Sequence, residues 1–112
     1  MRFRRKGRRT VAVNLVVMYR RPPDPEAFLE HYARVHAPLV DNFPGLMGFQ
    51  HGPVRASLAG ADEWFYLAVL TFADRAQLDA AMASEVGRAA RRDVRSFAAD
   101  LFDMVVQEVV PS

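Results

Sequence analysis

The sequence contains no cysteine. That removes a disulfide framework, a thiolate nucleophile and every cysteine-based zinc or iron–sulfur site. It agrees with a reducing, cytoplasmic setting. No apolar run approaches the roughly 20 residues that a transmembrane helix needs, so a soluble protein with no membrane role is expected. No GxGxxG dinucleotide fingerprint is present, and "PGLMGF" lacks the spacing and the Lys-Ser/Thr of a phosphate loop. Ser57, Ser84 and Ser96 have no nucleophile-elbow context.

Charge of one sign is scarce outside one place. The chain of 112 residues carries 15 basic and 13 acidic residues. Six of the basic ones lie in residues 1–9, "MRFRRKGRR". The remainder holds nine basic against 13 acidic residues and is mildly acidic. Residues 1–9 therefore read as a basic, disordered tail, and 10–112 as one domain. A nucleic-acid charge pattern stops at that tail, so no nucleic-acid partner is expected.

What is present is a regular alternation of elements. Thr10 to Arg20 alternates, with Val11, Val13, Leu15, Val17 and Tyr19 on one face. The other face is also largely apolar, which predicts a central strand. "RPPDPEAF" predicts a helix capped by Asp24 with Pro25 in its first turn. Phe28, Tyr32, Val35 and Leu39 follow at helical spacing as its inner face. Pro38 should kink or end the helix near Ala37. Strands are expected over Leu46 to about Val54 and over Glu63 to Phe72, separated by a polar loop. Asp74 and Gln77 resemble a capping box opening a second helix; Ser84 restarts it after a bend. A last strand runs from about Leu101 to Val110. The order β-α-β-β-α-β is the ferredoxin-like pattern, α+β, with two helices on one face of a four-stranded antiparallel sheet. The uncovered sheet face is too apolar for open water, and a homodimer packing two such faces resolves that.

The stretch "HYARVHAPLVDNFPGL", His31 to Leu46, resembles the His-Tyr-x3-His-x-Pro-Leu…Pro-Gly-Leu core of the EthD family, named for a protein linked to ethyl tert-butyl ether degradation. "EWFYLAVLTFAD" and "AMASEVGRAARRDVRSFA" fit the same family in order, the latter with Ser84, Glu85, Gly87, Asp93 and Phe97. The resemblance covers roughly residues 11–110. It implies a dimeric α+β barrel, formed when two ferredoxin-like sheets close on each other. The wider group includes cofactor-free monooxygenases, lactone isomerases, haem-handling proteins and stress-response proteins, so fold does not fix function.

The candidate chemistry centres on His36, four residues after Tyr32 and beside the apolar face. It reads either as an acid or base facing a cavity or as a buried imidazole that ties down the helix end. Asp93, near the inner stripe of the last helix, is its natural partner, because a buried carboxylate must be paired or protonated. Such a contact would orient the imidazole. Tyr32, Asn14, His51, Tyr66 and Phe97 are candidate ligand contacts, each with a plainer reading as core or a satisfied hydrogen bond. Trp64 and Tyr66 are placed on one strand face. His31 falls one step off the apolar face and reads as solvated. His31 and His36 stand five apart, whereas a zinc-type helical pair needs four to share a face, so no metal is expected.

The functional expectation is a small-molecule-binding protein for a hydrophobic or aromatic oxygenated metabolite. If it is an enzyme, it is a cofactor-free monooxygenase or isomerase with His36 as base. Two alternatives stand beside it: a non-catalytic accessory or ligand-carrier protein, and a haem-binding barrel using His36 or His51.

Overall fold

A computed structural model describes residues 11–111; the basic tail lies outside the described residues. Strand β1 is Val13–Arg20, followed by helix α1, Pro25–His31. A single π-helical turn, Tyr32–His36, continues directly into α2, Ala37–Asp41. Then come β2 (Leu46–Pro53), β3 (Trp64–Phe72), α3 (Arg75–Ala83), α4 (Glu85–Ala98) and β4 (Phe102–Glu108). All strand pairs are antiparallel, in the order β2-β3-β1-β4. This is the expected ferredoxin-like sheet with its helices on one face.

Local chemistry accounts for the boundaries. Asp24 caps α1 by accepting from the Ala27 N–H at 3.1 Å, with Pro25 in the first turn, where it has no hydrogen bond to lose. Asp74 caps α3 through the Gln77 N–H at 2.8 Å. Ser84 both ends α3 and caps α4, accepting from the Gly87 N–H at 3.1 Å. Gly87 is required by close approach, since a Cβ there would lie 2.1 Å from the Ala81 carbonyl oxygen. Gly45, at φ +76°, makes the turn into β2 that "PG" announces.

β1 is central, as its two-sided apolar pattern predicts. Val13, Leu15, Val17 and Tyr19 are buried under the helices; Asn14, Val16, Met18 and Arg20 face the other way and are half-buried. Tyr66, Ala68, Leu70 and Phe72 of β3 complete the inner face, against Phe28, Tyr32, Val40, Leu78, Ala90 and Val94 from the helices. The opposite face is uncovered, leaving Leu67 38% and Val105 48% exposed.

Two expectations fail for one kind of reason, an inserted residue. Tyr19 pairs with Tyr66 but Arg20 pairs with Trp64, so Phe65 is an extra residue at a bulge. Because paired residues share a face and neighbours alternate, Trp64 and Tyr66 lie on opposite faces, not on one. In the first helix, the π-turn shifts the inner face by one residue. His36, not Val35, takes the buried position, and Val35 is 42% exposed. Pro38 does not end the helix. It lacks the N–H that an α-helix would need there, and the π-turn just before it absorbs the irregularity while the chain continues to Asp41.

Candidate functional site

The π-turn is built by a wide hydrogen bond, from the Ala37 N–H to the Tyr32 carbonyl five residues back. On an α-helix, residues five apart would be about 140° out of phase. The extra residue brings His31 and His36 to one side, and both meet Asp93 of α4. His36 Nδ1 lies 3.0 Å from Oδ2 and His31 Nε2 lies 2.8 Å from Oδ1; since a carboxylate only accepts, each of these ring nitrogens is assigned the proton and donates it. The anticipated His36–Asp93 contact is therefore in the structure. The reading of His31 as a solvated residue is corrected: it is the second imidazole on the same carboxylate, its side chain only 32% exposed.

His36 is buried. Burial disfavours the imidazolium and lowers its pKa from the ordinary value; the hydrogen bond to Asp93 and the charge of that carboxylate oppose this and are the weaker influence. The ring is therefore a neutral imidazole near neutral pH. With its proton on Nδ1, Nε2 carries the lone pair, and among the described residues Nε2 has no hydrogen-bond partner.

Tyr32 packs its ring 5.1 Å from His36, and Phe97 lies 5.2 Å from His36 and 4.6 Å from His31. Phe97, one helical turn after Asp93, thus packs against both imidazoles. His36 and Tyr32 border a cavity of about 50 Å³ between sheet and helices, walled mainly by apolar side chains such as Leu15, Val17, Phe43, Leu70 and Val94. One water needs roughly 10–15 Å³ on this measure, so the space holds a small group. Burial pushes the Tyr32 and Tyr19 phenols well above the usual range, so both remain protonated donors.

The remaining candidates separate. Tyr66 and His51 share a hydrogen bond of 2.7 Å, and both rings stand near Tyr32, at 4.5 and 5.3 Å. They form an outer wall on the helix side of the sheet, with His51 on the exposed edge strand β2. Asn14 is not part of this group. It lies on the opposite sheet face, where it donates to Gln107 at 2.9 Å and accepts from Thr71 at 2.7 Å. Sequence reasoning missed three residues. Tyr19 carried a visible signal, since it ends the inward-facing series of β1. His31 carried one only in combination with Pro38, whose presence inside a continuous helix demands an irregular turn. Arg91, at the cavity edge, carried none. Among the described residues no group of three or more His, Asp or Glu is arranged to hold a metal ion, and no helix is long and apolar enough to cross a membrane.

The model of the EthD domain matches residues 20–101. An uncharacterised 11.0 kDa protein from the thcB-thcC intergenic region of Rhodococcus erythropolis is 36% identical over 84 residues, 75% of this chain and 82% of the relative. Among solved structures, an ethyl tert-butyl ether degradation (EthD) family protein from Bacillus halodurans is 30% identical, with a TM-score of 0.84 over 88% of this chain and 99% of that one. A dimeric ferredoxin-like protein of unknown function from Jannaschia is 26% identical, with a TM-score of 0.69 over 88% and 99%. SnoaB, a cofactor-independent oxygenase from Streptomyces nogalater, shares the fold at 17% identity, with a TM-score of 0.67 over 90% and 95%.

Proposed function

The chain belongs to the EthD domain family, and from that premise we infer that it is a homodimeric small-molecule-binding protein in which His36 acts as a general base on a hydrophobic, oxygen-bearing ligand. The observation that carries this reading is the placement of His36. It is buried at the edge of an apolar cavity, held through Nδ1 by Asp93, with Nε2 unpaired among the described residues.

That arrangement suits removal of a proton from an activated C–H or O–H. Nε2 takes the proton, and Asp93 stabilises the imidazolium that results. The apolar walls exclude water and strengthen the charge interaction. Tyr32, its phenol held protonated, packs its ring beside His36 at the edge of the same cavity. Return of the proton to a different carbon would give isomerisation. Transfer of the carbanion's electrons to dioxygen as co-substrate would give cofactor-independent oxygenation, the activity named for SnoaB. The homodimer rests on the apolar uncovered sheet face and on the dimeric state of the Jannaschia relative.

The carrier alternative draws support from one feature, the small and almost wholly apolar cavity. Hydrogen–deuterium exchange separates the two. Small aryl ketones with acidic α-hydrogens are incubated with the protein in heavy water and followed by proton NMR. The base reading expects exchange above the buffer rate, abolished in His36→Gln and retained in His51→Gln. Binding of these ketones with no exchange above buffer would leave the carrier reading.

A further inference from the structure

We propose that His31 is a positioning residue for His36: acting through Asp93, it holds the His36 proton on Nδ1 and so leaves the lone pair on Nε2. This rests on the reading of His36 as a base and adds the means by which its tautomer is set.

The two oxygens of Asp93 are each committed to one ring, at 2.8 and 3.0 Å. A carboxylate bonded on one side only can turn about its Cβ–Cγ bond and present either oxygen, or swing towards solvent. Bonded on both sides it cannot, and Oδ2 stays opposite Nδ1 of His36. A neutral imidazole carries one proton, placed on whichever nitrogen has the better acceptor. With a fixed carboxylate at Nδ1 and apolar walls beyond, the Nδ1–H tautomer is strongly favoured.

The cost of the arrangement points the same way. A π-turn is a rare, less favourable backbone form. Pro38 calls for an irregular turn in this helix, and the form taken exposes Val35 and buries a histidine in its place. An α-helical turn would bury Val35 and leave His31 and His36 on different sides. Besides accommodating Pro38, the π-turn brings two imidazoles onto one carboxylate. The exposures grade across the three side chains, 7% for His36, 12% for Asp93 and 32% for His31. His31 is thus the solvent-side member. It opens on a surface cleft formed with Pro22, Pro23, Asp24, Ala27, Phe28 and Phe97, and a polar substitution there meets water.

The test is long-range proton–nitrogen NMR of the imidazoles in the full chain near neutral pH, with no ligand present. In the wild type, His36 should show a pyrrole-type Nδ1 and a pyridine-type Nε2. In His31→Asn, whose side chain is too short to reach Oδ1, and in His31→Leu, both nitrogens should move towards the averaged position of a tautomer mixture. His31→Gln, which can still donate to Oδ1, should restore the wild-type pattern. An unchanged His36 spectrum in the Asn and Leu variants overturns the proposal, and so does an Nε2–H tautomer in the wild type. If neither variant folds, His31 is a fold anchor and the positioning role is likewise overturned. The readout uses no substrate, so it stands apart from the exchange experiment: a tautomer set by His31 with no ketone exchange would sink only the base reading.

Discussion

Removing Asp93 should destabilise the fold more than its own burial suggests, because it strands two neighbours. In Asp93→Ala the His36 Nδ1–H, on a side chain 7% exposed, loses its acceptor. A buried donor left unsatisfied costs about 1–3 kcal/mol. His31, 32% exposed, can turn to water, and its loss adds under about 1 kcal/mol. The total is about 1–4 kcal/mol, which for a domain of this size lowers Tm by roughly 5–25 °C. Asp93→Asn should cost less, since its carbonyl still accepts from one ring while its amide opposes the other. Urea unfolding followed by far-UV circular dichroism measures both, and a lower midpoint at constant slope reports stability alone. The double variant Asp93→Ala with His36→Leu should recover part of the loss, because the stranded donor is gone. If Asp93→Ala matches the wild-type midpoint, the carboxylate is not the acceptor that the buried imidazole depends on, and the argument fails at its first step.

Stability should fall as pH drops below about 6.5, the unfolded imidazole's ordinary value. The His36 pKa is lowered in the folded chain, so the unfolded state takes up its proton first and gains on acidification. The loss should level off once folded His36 itself protonates, and His36→Gln should flatten that part of a urea-midpoint profile. Gly87→Ala should destabilise by roughly 1–3 kcal/mol, the range for overpacking, because its Cβ would meet the Ala81 carbonyl oxygen at 2.1 Å. Gly52→Ala, with nothing within 4 Å of its Cβ, is the control, and thermal melts compare the two. Val105→Glu, on the uncovered sheet face, should shift the protein from dimer to monomer in light scattering; an unchanged dimer would place the contact elsewhere.

The parts of the fold that were readable are those governed by neighbours in the chain. Asp24 and Asp74 cap helices because a short acceptor side chain reaches an N–H three residues on. The β1 pattern states its central place because both faces are apolar. The His36–Asp93 pair was legible for a related reason, a carboxylate on an inner stripe opposite a histidine on another. The readings of Val35, His31 and the Trp64–Tyr66 face all failed where a residue was inserted into a regular period. Each such insertion moves every later side chain by one position, and the sequence alone carries only the period.

The sequence by itself thus determined the element order, the caps, the central strand, the apolar uncovered face and the family. The tertiary structure decided which side chains converge. The π-turn and the Phe65 bulge are unfavourable locally, and only contacts across the fold offset them. Asp93 is 62 residues from His31, so the contact that gives His31 its place could be found only once α4 lay against the first helix.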